Sequence, residues 1–335
     1  MLLETIALVI QLDGSQTCAG ALSAAPGYQA CAQGTNGLAL SDTQAGADLL
    51  LAQAEAAEVT FKRGFSESIP PYLVFYFDAD PPLAELDRAG FSTVLAWPSP
   101  KHVASLLTTA LRQQALARAG GSGTLPDAAE AALTAQTAAV LSSIESKQEG
   151  VVAHELGHVW YSAVFWRDSG VAPDGYGSPA PDWLDESAAV LTEGASFADD
   201  RRRLFVETWN TLEPAGRFAP ESIGDLDYFL TRQHPSQRQA VPPVESGSGS
   251  AATVSVVVRG GGDGKEAYYN QVRVFADYLI DRTGDAAVFA EITRALAAGS
   301  TFGAWLGSQV RYPTLRRTIP ELQADWSDWI ARGAA

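Results

Sequence analysis

Basic residues are scarce in this chain: 23 Lys and Arg stand against 39 Asp and Glu, a formal charge of −16. That balance argues against nucleic acid or an anionic membrane surface as partner, because both recruit concentrated positive charge. Long apolar runs are also missing. The best candidate near the start, TIALVIQL, follows Glu4 and falls far short of the roughly 20 residues that span a bilayer. The same opening lacks the basic stretch and small-residue cleavage site of a secretion signal, so none is expected within it. Methionine occurs once, at position 1, histidine four times, and no internal repeat is found.

What is present can build a core. With 46% hydrophobic and 19% charged residues over 335 positions, the chain reads as a globular protein, one large domain or two intimate subdomains. Its two cysteines, Cys18 and Cys31, lie close together in TCAGALSAAPGYQACAQG, read as a loop with no histidine near enough to complete a metal site. A disulfide is expected between them, which implies an extracytoplasmic or secreted setting.

Periodicity then organises the chain. ETIALVIQL reads as a strand, and SDTQAGADLLLAQAEAAEV as a helix capped by Ser41 or Asp42. EVTFKRG is expected to begin a strand; YLVFYFDAD and FSTVLAWPSP, rich in aromatic and β-branched residues, are two more. Residues 101–118 and 126–147 give two helices split by AGGSGTLP, and a third helix is expected from Glu149. Residues 167–181 read as a loop, and PDWLDESAAVLTEGASF as a helix beginning at Pro181 or Asp182. Residues 234–264 are of low complexity and read as a surface insertion holding a short strand, TVSVVV. Helices at 265–283 and 285–298, then STFGAWLGSQV and ELQADWSDWI, close the chain. The fold class is α+β: an N-terminal α/β subdomain with a small mixed sheet over 1–148, then a mainly helical catalytic subdomain over 149–335, with a cleft between them.

The stretch VVAHELGHVW carries the chemistry. His154 and His158 stand four apart, so a helix puts both imidazoles on one face, where they can share a cation, while Glu155 projects beside them. Zinc held by two neutral imidazoles and a carboxylate keeps an open position, lowers the pKa of its water towards 7 and polarises a carbonyl. The bland alternative is a helix with two satisfied histidines, but four histidines in the whole chain make that spacing around a glutamate a rare accident. A third histidine with the metzincin spacing is ruled out, since Tyr161 and Val164 occupy the required glycine and histidine positions.

Downstream, PDWLDESAAVLTEG offers Glu186. Here the sequence resembles the gluzincin clan of zinc peptidases, whose third ligand is a glutamate, and distantly the aminopeptidase branch with its W-L-N-E-G-F-A segment. In this chain that segment reads Trp183, Leu184, Asp185, Glu186, Ser187, Ala188, Ala189, with aspartate for asparagine and serine for glycine. The 27 residues between His158 and Glu186 exceed the aminopeptidase spacing, and the excess falls in the Gly/Pro loop 167–181, where insertion is cheap. The resemblance implies one zinc ion held by His154, His158 and Glu186, Glu155 as general base, and Glu193 as the residue that holds a ligand histidine from behind. AYYNQVRVFADYLIDRTG is similar to a later segment of the clan whose tyrosine donates to the oxyanion. Starting that pattern at Tyr269 places Leu279 and Gly284 on its leucine and glycine; starting at Tyr268 loses both. A half-buried aromatic at the start of a helix is the ordinary reading of either tyrosine.

The resemblance, of the kind called peptidase-MA-like, implies a zincin-like fold and hydrolysis of a peptide or protein substrate. The aminopeptidase branch anchors the substrate amine with a G-x-M-E-N strand, absent here because the one methionine is Met1, so an endopeptidase is expected. The competing functions are an inactive zincin-fold binding module and a zinc hydrolase of a non-peptide bond. His102 and His234 read as ordinary surface or helix-start residues, and Arg201, Arg202 and Arg203 as a solvated charged patch.

Overall fold

A computed structural model describes residues 16–66, 68–78, 80–118, 124–167, 178–235 and 264–333, with the backbone alone described at 118, 140 and 143–149. The strands expected at ETIALVIQL and TVSVVV lie outside these residues. The chain is α+β: a small mixed sheet followed by a mostly helical remainder. It divides into two compact units, residues 1–55 with 70–99, and 56–69 with 100–335.

The first unit is built on β1 (Ala30–Gln33), β2 (Gly37–Ser41), β3 (Tyr72–Phe77) and β4 (Val94–Pro98), in that spatial order. β1 and β2 form an antiparallel hairpin, whereas β2, β3 and β4 run parallel. β3 is buried along Tyr72, Leu73, Val74 and Phe75, as the uninterrupted apolar run of an interior parallel strand requires. Helices α1 (Cys18–Ala24) and α3 (Leu83–Arg88) contribute Ala21 and Leu86 to a core with Leu38, Leu40, Leu73 and Phe75.

The cysteine segment is not a loop. Thr17 caps α1 by accepting the Gly20 N–H at 3.2 Å, and Cys31 belongs to β1. The expected disulfide is present, Cys18 to Cys31 with Cα atoms 5.5 Å apart, and it ties α1 to β1. The strand expected at EVTFKRG is also corrected. Those residues finish α2 (Gln44–Gly64), because Leu50, Ala54, Ala57 and Phe61 recur every three or four residues and are all buried.

In the second unit, α4 (Pro100–Arg118) precedes α5 (Asp127–Phe165). The two helices expected at 126–147 and from 149 are one helix of 39 residues, about 58 Å long at 1.5 Å per residue. The subdomain boundary expected at 148 therefore falls inside a continuous helix. α6 (Asp182–Thr192) has all eleven of its residues buried. α7 (Ala195–Thr211), α8 (Pro214–Arg217), α9 (Leu226–Thr231), α10 (Lys265–Thr283), α11 (Val288–Ala297), α12 (Phe302–Ser308) and α13 (Ile319–Ala331) follow. α10 ends at Gly284, whose φ of +68° is the left-handed conformation that glycine adopts without strain. Aromatic rings hold these helices together: Trp183 meets Phe275 and Phe302 edge-on, and Trp326 meets Phe205, Phe275 and Tyr278. No helix among the described residues is long and apolar enough to cross a membrane.

Candidate metal centre

α5 and α6 pack closely because of one residue inside the histidine motif. A Cβ on Gly157 would lie 2.6 Å from the Ala188 carbonyl oxygen and 2.7 Å from the Ala189 Cα, both backbone atoms of α6. The Thr192 hydroxyl donates to the Ala153 carbonyl at 2.6 Å and stitches the same two helices together. Gly157→Ala must push α6 away from α5. The expected loss is about 1–3 kcal/mol of stability, the usual cost of overpacking, together with weakened metal binding; thermal unfolding and a metal titration measure the two.

That contact brings Glu186 under the histidines. Its Oε2 lies 3.4 Å from His154 Nε2 and 3.6 Å from His158 Nε2, and the two Nε2 atoms are 3.3 Å apart. Among the described residues, His154, His158 and Glu186 are the group whose ligand atoms converge in this way. A tetrahedral ion with nitrogen and carboxylate ligands at about 2.0–2.2 Å has ligand atoms separated by about 3.3–3.6 Å. The three observed separations match, so the donor set fits a zinc ion.

The outward nitrogens are engaged as a metal site demands. His154 Nδ1 lies 2.9 Å from Glu193 Oε1, and His158 Nδ1 lies 2.6 Å from Asp185 Oδ1. A proton held at Nδ1 by a carboxylate turns the Nε2 lone pair towards the common point and raises its basicity. The other Asp185 oxygen accepts the Ser178 backbone N–H at 2.6 Å, while Arg201 grips both oxygens of Glu193. Glu193 thus reaches its expected partner by an unexpected path. It stands just past the end of α6 with extended backbone, φ −58° and ψ 148°, not on the helical face two turns beyond Glu186.

Three residues of this arrangement escape the sequence reading. Asp185 was legible only as the aspartate replacing an asparagine beside Glu186. Arg201 is not part of a solvated patch: it is largely buried against Glu193, with its guanidinium 5.1 Å from the Tyr269 ring, whereas Arg203 pairs with Asp200 and Glu207 at the surface. His234 is not a surface residue either. It is 0% exposed, with Nε2 3.5 Å from Glu186 Oε1, and nothing in RQHPSQ announces that position. His102 lies in the first turn of α4, where a helix-start residue was expected.

Glu155 is half-buried on α5 and, among the described residues, makes no hydrogen bond or ion pair. Tyr269 sets its ring edge-on to His154 at 5.3 Å and at 5.5 Å from His234. Tyr268 is fully buried, packed between Arg232 and His234. Of the two tyrosines, Tyr269 is the one against a histidine of the candidate group, His154. A cavity of about 1060 Å³ runs along the far ends of the same helices, lined by Phe165, Trp166, Trp183 and Phe302.

No family model, curated protein or solved structure matches this chain.

Charge within the centre sets how a metal enters it. Burial is the largest single influence on both imidazoles and lowers their pKa, but Glu186 and Glu193 together outweigh it at His154, taking it to about 10. Glu186 and Asp185 do the same at His158, to about 9. Both values exceed the ordinary 6.5, so in the metal-free protein the stabilising pairs are complete below about pH 6.5 and fade as pH rises towards 9–10. A bound ion replaces the Nε2 protons, so metal affinity must move the opposite way and strengthen from pH 6 to pH 8. Calorimetry in buffers of different ionisation enthalpy should count protons released on zinc binding; a pH-independent affinity without proton release contradicts the assignment.

Proposed function

We propose that this protein is a zinc-dependent metallopeptidase of gluzincin type on a zincin-like scaffold, cleaving internal peptide bonds. One observation supports the reading above the others: three ligand atoms from α5 and α6 are spaced as the edges of a tetrahedron, with each imidazole backed by a carboxylate. A purely structural histidine pair has no need of that convergence. The Cys18–Cys31 disulfide is compatible with work outside the cytoplasm.

In this reading His154, His158 and Glu186 hold the ion, and Asp185 and Glu193 fix the orientation of the rings. Zinc in such a site supplies Lewis acidity, activating water and polarising the substrate carbonyl. Glu155 takes the proton from the attacking water and returns it to the leaving amine. Tyr269 donates its hydroxyl to the oxygen on which negative charge develops.

Tyr269→Phe is expected to leave the ring packing on His154 and Arg201 intact while slowing turnover by the equivalent of about 2.7–4 kcal/mol, the usual contribution of one oxyanion donor. Steady-state kinetics on a quenched peptide substrate reads this, and an undiminished kcat removes Tyr269 from the mechanism. The function itself is tested by metal analysis of the purified chain and turnover of a casein substrate with and without a chelator. Zinc near one per chain with chelator-sensitive cleavage supports the proposal. Bound zinc without cleavage of casein or peptides argues for a binding module or a non-peptide hydrolase.

A further inference from the structure

Three consecutive arginines of α7 take three different roles. Arg203 stays at the surface with Asp200 and Glu207. Arg202 donates to both oxygens of Asp277 on α10, at 2.7 and 3.1 Å. Asp277 also accepts from Arg273, whose Nη1 donates to the Val190 carbonyl of α6 at 3.2 Å. α7 is thereby tied to α10 directly and to the end of α6 through Arg273. Arg201 turns inward from that fixed base, with its side chain 14% exposed.

On one side Arg201 donates from Nε and Nη2 to the two oxygens of Glu193. Glu193 stands past the end of α6 in extended backbone, where no helix directs its side chain, yet its Oε1 meets His154 Nδ1 at 2.9 Å. A planar fork that binds both carboxylate oxygens fixes the plane of the carboxylate as well as its distance. On the other side the guanidinium lies over the Tyr269 ring, 5.1 Å from its centre, within the reach of a cation–π contact. The Tyr269 ring is in turn 5.3 Å from the ring of His154. His154, Glu193, Arg201 and Tyr269 therefore form a closed circuit of contacts.

We infer that Arg201 is a positioning residue with two effects: through Glu193 it orients the His154 imidazole, and through its own stacking contact it fixes the ring of Tyr269. This rests on the readings of His154 as a metal ligand and Tyr269 as the oxyanion donor. The plain alternative is a counter-charge for a buried carboxylate. Lysine supplies that charge equally well but has neither the fork nor the flat face. Arg201→Lys therefore separates positioning from neutralisation.

The test uses the full-length protein with Zn2+ as probe and a quenched peptide as substrate. Zn2+ affinity, measured by competition with a chromogenic chelator, is expected to fall about 10-fold in Arg201→Lys, the low end of the effect of losing a group that orients a metal ligand. In a Glu193→Gln background the same substitution should change affinity by less than about twofold, because the path through Glu193 is already cut. On zinc-loaded protein kcat is expected to fall about 10- to 100-fold in Arg201→Lys, the cost of a misplaced catalytic group, with KM little changed. In a Tyr269→Phe background, which keeps the ring but lacks the hydroxyl, the further fall should be less than about twofold. A loss of packing alone adds in full to both partner variants. Wild-type affinity and kcat in a folded Arg201→Lys protein overturn the inference; additivity with Glu193→Gln overturns its first effect, and additivity with Tyr269→Phe its second. If Arg201→Lys does not fold, the guanidinium 15N spectrum of the wild-type protein decides: separate, slowly exchanging Nη signals of Arg201 support the two-point grip, and averaged signals overturn it. Wild-type protein that binds no Zn2+ removes the metal-centre reading and the inference with it, and an undiminished kcat in Tyr269→Phe removes the tyrosine reading; both outcomes are seen without altering Arg201.

Discussion

Changing Glu186 to glutamine is expected to weaken zinc binding about 10²- to 10³-fold and to lower turnover with it. Glu186 is 0% exposed and brings the negative charge into a candidate ligand group otherwise made of two imidazoles. Burial, the largest influence, raises its pKa, but His158, His154 and His234 overcome that and hold it near 2, so the group is ionised at any working pH. Removing one partner from a buried charged cluster costs about 3–5 kcal/mol, and each 1.4 kcal/mol is a tenfold change in affinity. Glutamine is nearly the same size, so α6 keeps its packing on Gly157 and the loss is specific to the charge. Chelator competition measures it; an unaltered affinity in a folded Glu186→Gln protein means that this carboxylate is no ligand.

Glu155→Gln should separate binding from chemistry. Glu155 lies outside the converging ligand atoms, so the variant is expected to hold zinc as tightly as the wild type. Its amide cannot accept the proton of the attacking water, and general-base catalysis typically contributes 10²- to 10⁴-fold. Turnover should fall by that factor with zinc stoichiometry unchanged. Together the two variants make opposite demands, since one loses metal and rate together and the other loses rate alone. Equal activity in zinc-loaded Glu155→Gln protein excludes the proposed mechanism.

Much of the centre was legible because its chemistry is local. His154 and His158 share a face through helical spacing alone, and their environment on α5 did not have to be known. Glu186 was found because it too sits on a recognisable buried helix, and Cys18 with Cys31 because they are close in sequence. The N-terminal part was harder. α2 continues through EVTFKRG because Phe61 completes a buried helical stripe, and β-branched residues such as Val59 are tolerated in a helix when packing decides. α5 runs unbroken through residues 147–149 for a related reason: nothing there breaks a helix, and a change in composition is no terminator.

The sequence by itself determined the periodic things: two imidazoles on one helical face, a carboxylate between them in sequence, a second acidic helix, an interior strand at YLVFYF and a disulfide pair. Only tertiary structure decided which residues stand behind the ligands. Asp185, Glu193 and Arg201 act through contacts made across elements, where separation along the chain carries no information about separation in space. The closeness of α5 and α6, made possible by the missing side chain at Gly157, is the physical event that turned a spacing pattern into a site able to hold a cation.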